Sequence, residues 1–509
     1  MNSIAQDAGS ATSRRVLWVA TIGVFSVFVV ISDYGFVNWD FDYFVAARDL
    51  SVGIVGDGVR QHVGSQNTPL TQALLVALIG KVVPIDLGFW VAKLPNSLGV
   101  ALTFYSVSRH LSRIGLSRWP SLVIPLSIVS GPIFAVYGTQ ASANLLQVGI
   151  VSYCFTRMTR WDEVEPSTRE ILLAAGLFGV ALANKYNVIL LLPLAFLLMA
   201  PALRVGHVRH RLVLMAAFGL VSALPSVAIL AWTRVALGVW GSGNTQQYRV
   251  GVGDVSSLLL TLSSYLAFIG LFLMPPILLC AIPAGPFSRV LVVSATVVFF
   301  FFGSSLGLGE LNFGGLESIV AEPMLWRVTA TAGFMATLGC GASVLASHRS
   351  ASMPVRRATC GLLIYVSLHA LTRPTQRYMI IVAPLALAFI VGPRLLGRPV
   401  ARRWLVAMVA MSAILALPAY SFSRAQGNTS DRMAQWLVAE GLETNTHGSI
   451  WTHAGQYRVG QMEEESTHEV LSIGRGEEVP ADVIHVEEMR VLGFLVRTYA
   501  VVPIAAAGG

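Results

Sequence analysis

Long apolar runs alternate with short polar connections along most of this chain. A helix needs about 20 predominantly apolar residues to cross the hydrocarbon core of a bilayer, so each long run predicts a membrane-spanning helix. The segment 70–83 is apolar but only about 14 residues long, which is typical of interfacial or re-entrant helices. The pattern predicts thirteen spans, at 16–33, 87–108, 119–137, 141–157, 170–184, 187–203, 212–232, 258–281, 290–308, 325–347, 358–371, 379–396 and 404–420.

The pattern changes after residue 420. Helical periodicity appears at 431–442, and short alternating or apolar runs typical of strands appear at 448–455, 481–488 and 490–502. The intervening tract 461–469 is expected to be a solvated loop. We therefore expect an all-α polytopic membrane domain at 1–420, followed by a small α/β domain at 421–509.

Composition agrees with this organisation. The chain is 54% hydrophobic and 12% charged, with a mean hydropathy of +0.66. A soluble domain carries roughly 25% charged residues, so the chain is expected to be an integral membrane protein.

The distribution of arginines predicts the orientation in the membrane. If 70–83 does not cross and the N-terminus is inside, the inside connections after residue 83 hold 17 arginines. The outside connections after residue 83 hold only Lys185, Arg234, Arg249, Arg373 and Arg377. Cytoplasmic loops are enriched in Lys and Arg, so this orientation is favoured. The net charge of +8 then belongs mainly to cytoplasmic loops, and no nucleic-acid partner is predicted.

This orientation gathers the unusual polar segments on one external face. They are the first loop 34–86, the junctions 183–187 and 372–378, and the loops 233–257 and 309–324. The loop 233–257 is Gly-rich and is a candidate lid. The loop 309–324 carries three glutamates but no specific motif.

The first external loop contains the stretch NWDFDYFVAARDL at 38–50. Asp40 and Asp42 lie here beside the predicted end of the first span. One interpretation is a solvated helix at the membrane surface with an aromatic belt. The other is a catalytic site, because a carboxylate held within hydrogen-bond reach can take the proton of a hydroxyl nucleophile.

Basic residues supply candidate anion-binding groups on the same face. Lys185 lies between two spans that share almost no loop, where it either extends to the interface or binds an anion. Arg373 and Arg377, next to Tyr378, go against the positive-inside trend. A guanidinium pair can hold a phosphate by bidentate hydrogen bonds, although contact with anionic headgroups is the alternative.

Further polar side chains complete the candidate set. Arg60 and His62 in the first loop either contact a polar substrate or are solvated, and Asn144 lies in the short external turn 138–147. His62 has no second His or Cys at ligand spacing, and the four cysteines lie in apolar runs without such spacing. The sequence therefore predicts no metal site.

Several of these motifs resemble the GT-C glycosyltransferases, and in particular the protein O-mannosyltransferase and lipid A aminoarabinose transferase superfamily. WDFDYFVAARDL resembles the acidic first loop of that superfamily with Asp40 at its catalytic acid, whereas an oligosaccharyltransferase-like alignment favours Asp42. NTPL, with Asn67, resembles its proline-led helix start, and LANKYN and RYMIIVAPLALAF resemble its two later junctions. One departure concerns the second acid of the superfamily, whose position is occupied by Asn144.

The resemblance implies an inverting transfer of a sugar from a polyprenyl-phosphate donor to a hydroxyl of an envelope lipid, polysaccharide or protein. It implies a multi-pass protein of the inner membrane that contacts membrane lipids and has an extracytoplasmic (periplasmic) active site. Asp40 or Asp42 would be the base, and Lys185, Arg373 and Arg377 would stabilise the leaving phosphate. No cofactor is implied with certainty, and the need for a divalent cation stays open.

Two other functions fit a chain with many spans. An envelope polysaccharide polymerase or ligase would place its main features in a large external loop between late spans, whereas the longest internal loop here is the first. A transporter of lipid-linked glycans would show two similar halves and polar groups at mid-depth. The sequence shows no such halves.

Overall fold

The computed structural model describes most of the chain. The described residues are 2–37, 40–65, 70–203, 208–238, 255–270, 277, 286–303, 323–346, 352–372, 376–396, 402–442, 444–445, 468–474 and 477–503.

Helices dominate the first 203 residues. They are α1 (Asn2–Ile31), α2 (Asp40–Ser51), α3 (Asp57–Ser65), α4 (Thr71–Gly80), α5 (Phe89–Arg113), α6 (Arg118–Val129), α7 (Pro132–Gly138), α8 (Leu146–Met158), α9 (Thr168–Asn184) and α10 (Leu192–Met199). Turns of 3-10 helix lie at Ile85–Leu87, Thr159–Asp162 and Tyr186–Leu191.

Helices continue through the second half of the chain. They are α11 (Val208–Leu237), α12 (Val255–Phe268), α13 (Pro286–Val298), α14 (Pro323–Ala346), α15 (Met353–Thr372), α16 (Val382–Ala386), α17 (Gly392–Leu395) and α18 (Arg402–Glu440). A 3-10 turn precedes α16 at Gln376–Ile381, and π-helical turns lie at Phe299–Gly303 and Leu387–Val391.

Each of the thirteen predicted spans overlaps residues that are helical in the structure. In the described part of the chain, four helical stretches are long and apolar enough to cross a membrane: Arg14–Ile31, Val208–Leu237, Tyr378–Leu395 and Arg402–Leu437. The chain is therefore a multi-pass membrane protein, and the count of thirteen spans stays a prediction.

One predicted span is broken. Helices α6 and α7 meet at an angle of 66° within the segment 119–137. Gly131 has φ −73° and ψ 164°, an extended conformation, and Pro132 begins α7. The residue before a proline is disfavoured in the α region, which explains why the helix stops there.

The predicted first external loop contains the short helices α2, α3 and α4, which surround a small apolar core. Val45 of α2, Val59 of α3 and Val76 of α4 are buried together in this core, with Ala141 from the connection between α7 and α8. The predicted short segment 70–83 contains α4, which packs on α2 and α5. This core brings the acidic loop against the start of α5.

Helices α5 and α8 cross in close contact. A Cβ on Gly99 would overlap the backbone carbonyl of Leu145, and a Cβ on Gly149 would overlap the carbonyl of Gly99. Small residues at a crossing let two membrane helices approach closely. The crossing fixes the position of the irregular segment 139–145, which precedes α8.

The C-terminal part forms a sheet beside the end of α18. The strands are β1 (Thr444–Asn445), β2 (His468–Gly474), β3 (His485–Val491) and β4 (Phe494–Pro503), in the order β1-β2-β4-β3. Strands β1 and β2 are parallel, and β4 is antiparallel to both β2 and β3. Phe422, Met433 and Leu437 of α18 pack on the apolar side of this sheet.

The sequence placed this region only approximately. The helix predicted at 431–442 is the end of α18, which runs without interruption from the last predicted span. His468 and Glu469, expected in a loop, begin β2, and the strand predicted at 448–455 lies outside the described residues. The domain division at residue 420 stays a prediction.

Candidate functional site

Asp40 is the first residue of α2 and is completely buried. Its Oδ1 accepts a hydrogen bond from the backbone N–H of Ser142 at 3.0 Å. Its Oδ2 is also buried and has no hydrogen-bond partner within the described residues. Asp40 therefore presents one anchored and one unanchored carboxylate oxygen.

Burial sets the protonation behaviour of this carboxyl. It raises the pKa of Asp40 from its ordinary value to about 6, because loss of water disfavours the charged form. The positive charge of Lys93 and the backbone N–H groups of Ala141 and Ser142 act in the opposite direction. The pKa of Asp40 is therefore closer to neutral pH than the pKa of a solvated aspartate.

Lys93 is a residue that the sequence analysis did not single out. It is completely buried on α5, and its Nζ donates hydrogen bonds to the carbonyl oxygens of Ser32 at 3.0 Å and Tyr34 at 2.7 Å. The same ammonium lies 3.5 Å from the centroid of the Tyr34 ring. The sequence could have indicated Lys93, because it lies inside the predicted span 87–108. Charged residues within membrane spans are rare and usually functional.

Asn96, one turn further along α5, organises the segment that carries Ser142. Its Nδ2 donates to the carbonyls of Gln140 at 2.8 Å and Ser142 at 2.6 Å. Its Oδ1 accepts from the N–H groups of Leu145 at 2.9 Å and Leu146 at 3.2 Å. One buried amide thus satisfies backbone groups that have no helical partner, which fixes the loop next to Asp40.

Gln72 of α4 adds a second support to this segment. It is completely buried and donates from Nε2 to the carbonyl of Ala141 at 3.1 Å. The neighbouring Thr71 hydroxyl donates to the carbonyl of Ala183, at the end of α9. Helix α4 therefore connects the Asp40 region to the junction that carries Lys185.

Asn144 and Lys185 meet in this junction. Lys185 caps α9 in an extended conformation, with φ −157° and ψ 118°, so its side chain leaves the helix axis. Its Nζ donates to Oδ1 of Asn144 at 2.9 Å, and Asn144 Nδ2 donates to the Ser142 hydroxyl at 2.7 Å. Ser142 and Asn144 thus form a polar connection between the Asp40 carboxylate and the Lys185 ammonium.

Tyr378 closes the other side of Lys185. Its ring centroid lies 5.3 Å from Lys185 Nζ, within the range of a cation–π contact. His369 stacks on the Tyr378 ring at 5.1 Å, and the Tyr365 hydroxyl donates to the Tyr378 carbonyl at 3.1 Å. Tyr378 was predicted from the sequence, whereas His369 and Tyr365 were not.

Asp42 and His62 are also buried, with 3% and 0% of their surface exposed. The His62 ring lies edge-on to the Tyr43 ring at 4.6 Å. The interpretation of 38–50 as a solvated surface helix is therefore wrong for both aspartates, because α2 is covered by α3, α4 and α5. Arg48, near the end of α2, is exposed.

The remaining predicted residues are Arg60, Asn67, Arg373 and Arg377. Arg60 is exposed on α3. Asn67 and Arg373 lie outside the described residues, as does most of the loops 233–257 and 309–324. Arg377 lies in the 3-10 turn Gln376–Ile381. Its side chain is not among those that the structure describes.

Two observations concern the binding of a cation at this site. No group of three His, Cys, Asp or Glu side chains that could hold a metal ion occurs in the ranges covered by the structure. Asn144, at the position where the sequence resemblance implies a second acid, accepts a hydrogen bond from Lys185 through its amide oxygen. An ammonium at that oxygen would repel a cation bound at the same position.

Solved structures provide the comparisons, since no family profile and no curated protein matches the chain. ArnT from Cupriavidus metallidurans bound to undecaprenyl phosphate has a TM-score of 0.45 and 13% identity, over 97% of this chain and 98% of that chain. Its apo form has a TM-score of 0.47 and 14% identity, with the same coverage. AglB, an oligosaccharyltransferase from Archaeoglobus fulgidus in complex with an inhibitory peptide and a dolichol-phosphate, has a TM-score of 0.36 and 13% identity, over 87% of this chain and 60% of that chain.

ArnT, a lipid A aminoarabinose transferase, and AglB are both members of the GT-C superfamily that the sequence motifs resemble. Because these TM-scores are below 0.5, the functional proposal below rests on the side-chain geometry of this chain.

Proposed function

We propose that the chain is an inverting glycosyltransferase. It moves a sugar from a polyprenyl-phosphate donor to a hydroxyl of an envelope lipid, polysaccharide or protein, on the extracytoplasmic face of the inner membrane. The observation that carries the proposal is the connection from Asp40 through Ser142 and Asn144 to Lys185. It joins a carboxylate and an ammonium in one buried site, and this reaction needs a base and a cation that binds phosphate.

Asp40 is the proposed base. Its Oδ2 is the oxygen that accepts the proton of the acceptor hydroxyl, while Oδ1 stays bound to the Ser142 N–H. The acceptor oxygen then forms a bond to the anomeric carbon as the bond from that carbon to the phosphate oxygen breaks. Attack opposite the leaving group inverts the anomeric configuration.

Lys185 is the proposed partner of the leaving phosphate. An ammonium that is held in place before the reaction stabilises the negative charge that develops on the leaving group. Tyr378 and Asn144 position this ammonium, at 5.3 Å and 2.9 Å respectively. We assign Arg373 and Arg377 to the same phosphate, since both follow α15 at the junction that carries Tyr378.

The decisive experiment compares carboxylate variants in cells. Envelope glycans, lipids and proteins from a strain without the gene are compared by mass spectrometry with those from strains that carry the wild type or a variant. We expect a glycan mass that depends on the gene, and we expect it to be absent with Asp40→Asn. Asp42→Asn is tested separately, because the sequence alignments leave both aspartates as candidates.

Asp49→Asn is the matched control. Asp49 lies on the same helix, and its Oδ2 accepts from the Gly58 N–H at 3.0 Å, a bond that an asparagine oxygen can also accept. We expect the Asp49 variant to restore the glycan at equal expression. Full activity in both the Asp40 and the Asp42 variants would contradict the proposal that one of these aspartates is the base.

A further inference from the structure

A cavity lined by several arginines lies far from Asp40. It has a volume of about 560 Å³ and lies between the end of α5, the start of the first predicted span on α1 and the end of α8. Asp40 adjoins the start of α5 through Lys93, whereas the cavity is lined by Arg109 of the same helix. Sixteen residues of helix separate Lys93 from Arg109, or about 24 Å at 1.5 Å per residue. The cavity is therefore at the opposite, predicted cytoplasmic end of the molecule.

The lining of this cavity is strongly basic. Its charged members are Arg14, Arg109, Arg113, Arg157, Arg160 and Glu163. Arg157 lies 3.8 Å from Glu170, which is outside the lining. Among the described residues, Arg14, Arg109, Arg113 and Arg160 form no ion pair within 4 Å. Like charges gathered in this way repel one another, so an anion in the cavity would be favourable.

Arg113 is held in place on the cavity wall. Its Nη2 donates to the Thr159 hydroxyl at 2.7 Å and lies 3.3 Å from Nδ1 of the buried His110. Its Nε is buried and has no hydrogen-bond partner in the described part of the chain. The guanidinium is thus fixed in orientation and keeps an unsatisfied donor.

Tyrosine side chains orient two other arginines. Arg109 Nη1 donates to the Tyr105 hydroxyl at 3.0 Å, and Arg157 Nη1 donates to the Tyr153 hydroxyl at 3.3 Å. A smaller adjoining cavity of about 250 Å³ shares Arg14 and Arg109 and reaches Trp18. Trp18 is 54% exposed on a helix apolar enough to cross a membrane, so this branch opens toward the lipid.

We propose that this cavity is a binding site for a phosphate group at the cytoplasmic end of the protein. Arginine suits this ligand because its planar fork donates paired hydrogen bonds to phosphate oxygens. Basic pockets between membrane helices on the cytoplasmic side are known to hold phospholipid headgroups. The opening beside Trp18 admits such a headgroup, and the main cavity admits a soluble phosphate. The proposal does not depend on glycosyl transfer at the other end.

The test uses the purified full-length protein in a neutral detergent and measures binding by calorimetry and native mass spectrometry. The probes are dioctanoyl phosphatidic acid, inorganic phosphate and dioctanoylglycerol, which is the same lipid without the phosphate. We expect a phosphate-bearing probe to bind and dioctanoylglycerol not to bind. If only the phosphatidic acid binds, the ligand is a lipid headgroup, and if inorganic phosphate also binds, a soluble phosphate is sufficient.

A pair of double variants locates the binding. Arg109→Gln with Arg160→Gln removes two charges from the cavity and should weaken binding by about tenfold or more. Arg15→Gln with Arg118→Gln removes two exposed charges at the same end but outside the lining, and should leave binding unchanged. Size-exclusion chromatography verifies that both variants are folded. Equal weakening by both pairs, an unaffected cavity variant, or absence of binding to the wild type would each overturn the proposal.

Discussion

At the scale of single residues, the candidate site consists of charged groups that would be unfavourable if they were isolated. Asp40 and Lys93 are both completely buried, and each carries a charge that burial disfavours. Each is stabilised by backbone groups: the Ser142 N–H binds the carboxylate, and the Ser32 and Tyr34 carbonyls bind the ammonium. Such an arrangement is typical of a site where protonation matters for function.

The pKa of Asp40 predicts the acidic limb of the activity. A base must be ionised to accept a proton, and burial raises the pKa of Asp40 to about 6. Transfer activity should therefore fall as the pH is lowered through this value. Lys93→Met removes the charge that opposes this rise, so the pKa of Asp40 should increase and the acidic limb should move to higher pH.

The measurement is the pH dependence of the initial transfer rate for the wild type and the Lys93 variant. Lys81→Met, which changes an exposed lysine after α4, is the control and should leave the limb unchanged. If the activity falls at the same acidic pH in the wild type and the Lys93 variant, the charge of Lys93 does not determine the pKa of the catalytic base.

Apart from Lys93, the sequence predicted the charged candidates better than it predicted the residues that support them. Asp40, Asn144, Lys185 and Tyr378 were predicted from motifs and from their predicted side of the membrane, and the structure brings them together. Asn96 had no comparable signal, because a single asparagine in a predicted span does not reveal which backbone groups it will bind. Its partners lie 44 to 50 residues away in the chain, so only the folded structure identifies them.

At the scale of elements, hydrophobicity was sufficient to place the helices but not to describe how they cross. Length and apolar composition predict α5 and α8, since a bilayer demands such segments. The close contact between them depends on Gly99 and Gly149. The hydrophobic pattern of the sequence does not show that these two glycines lie against each other. The bend between α6 and α7 did have a local signal, in the Gly131–Pro132 pair.

The crossing of α5 and α8 predicts the effect of adding one methyl group. Gly99→Ala would overlap the Leu145 carbonyl, push the two helices apart and displace the segment 139–145. Such overpacking costs about 1–3 kcal/mol, so thermal unfolding in detergent should occur at a lower temperature, with reduced transfer activity. Gly176→Ala is the matched control, since a Cβ at this position on α9 meets nothing within 4 Å. An alanine at Gly99 that is as stable and active as the Gly176 variant would contradict the close crossing.

At the scale of the whole molecule, the C-terminal helix α18 supports the site through contacts with the connection between α1 and α2. The Tyr420 hydroxyl donates to the Ile31 carbonyl at 2.8 Å, and Asn428 Oδ1 accepts from the Gly35 N–H at 3.2 Å. These bonds hold the connection 32–37 between α1 and α2. The carbonyls of this connection bind Lys93, so the end of the chain contributes indirectly to the surroundings of Asp40.

Gly427 provides the test of this long-range support. A Cβ at Gly427 would overlap the backbone carbonyl of Gly35, and backbone cannot yield as a flexible side chain can. Gly427→Ala should therefore shift the connection 32–37 and loosen the Lys93 hydrogen bonds. We expect a loss of transfer activity larger than the loss of thermal stability, because misplacement of about 1 Å at a catalytic group can reduce a rate by about a hundredfold.

The control for Gly427 is Gly219→Ala on α11, where an added Cβ meets nothing within 4 Å. Both variants place alanine in a helix, which by itself favours the helix by about 1 kcal/mol, so a difference between them isolates the contact with Gly35. Transfer rates and unfolding temperatures of the two variants are measured in the same detergent. Equal rates would mean that the position of α18 does not affect the site. A rate lost only with Gly427→Ala would show that the C-terminal helix and the first external loop act as one unit around Asp40.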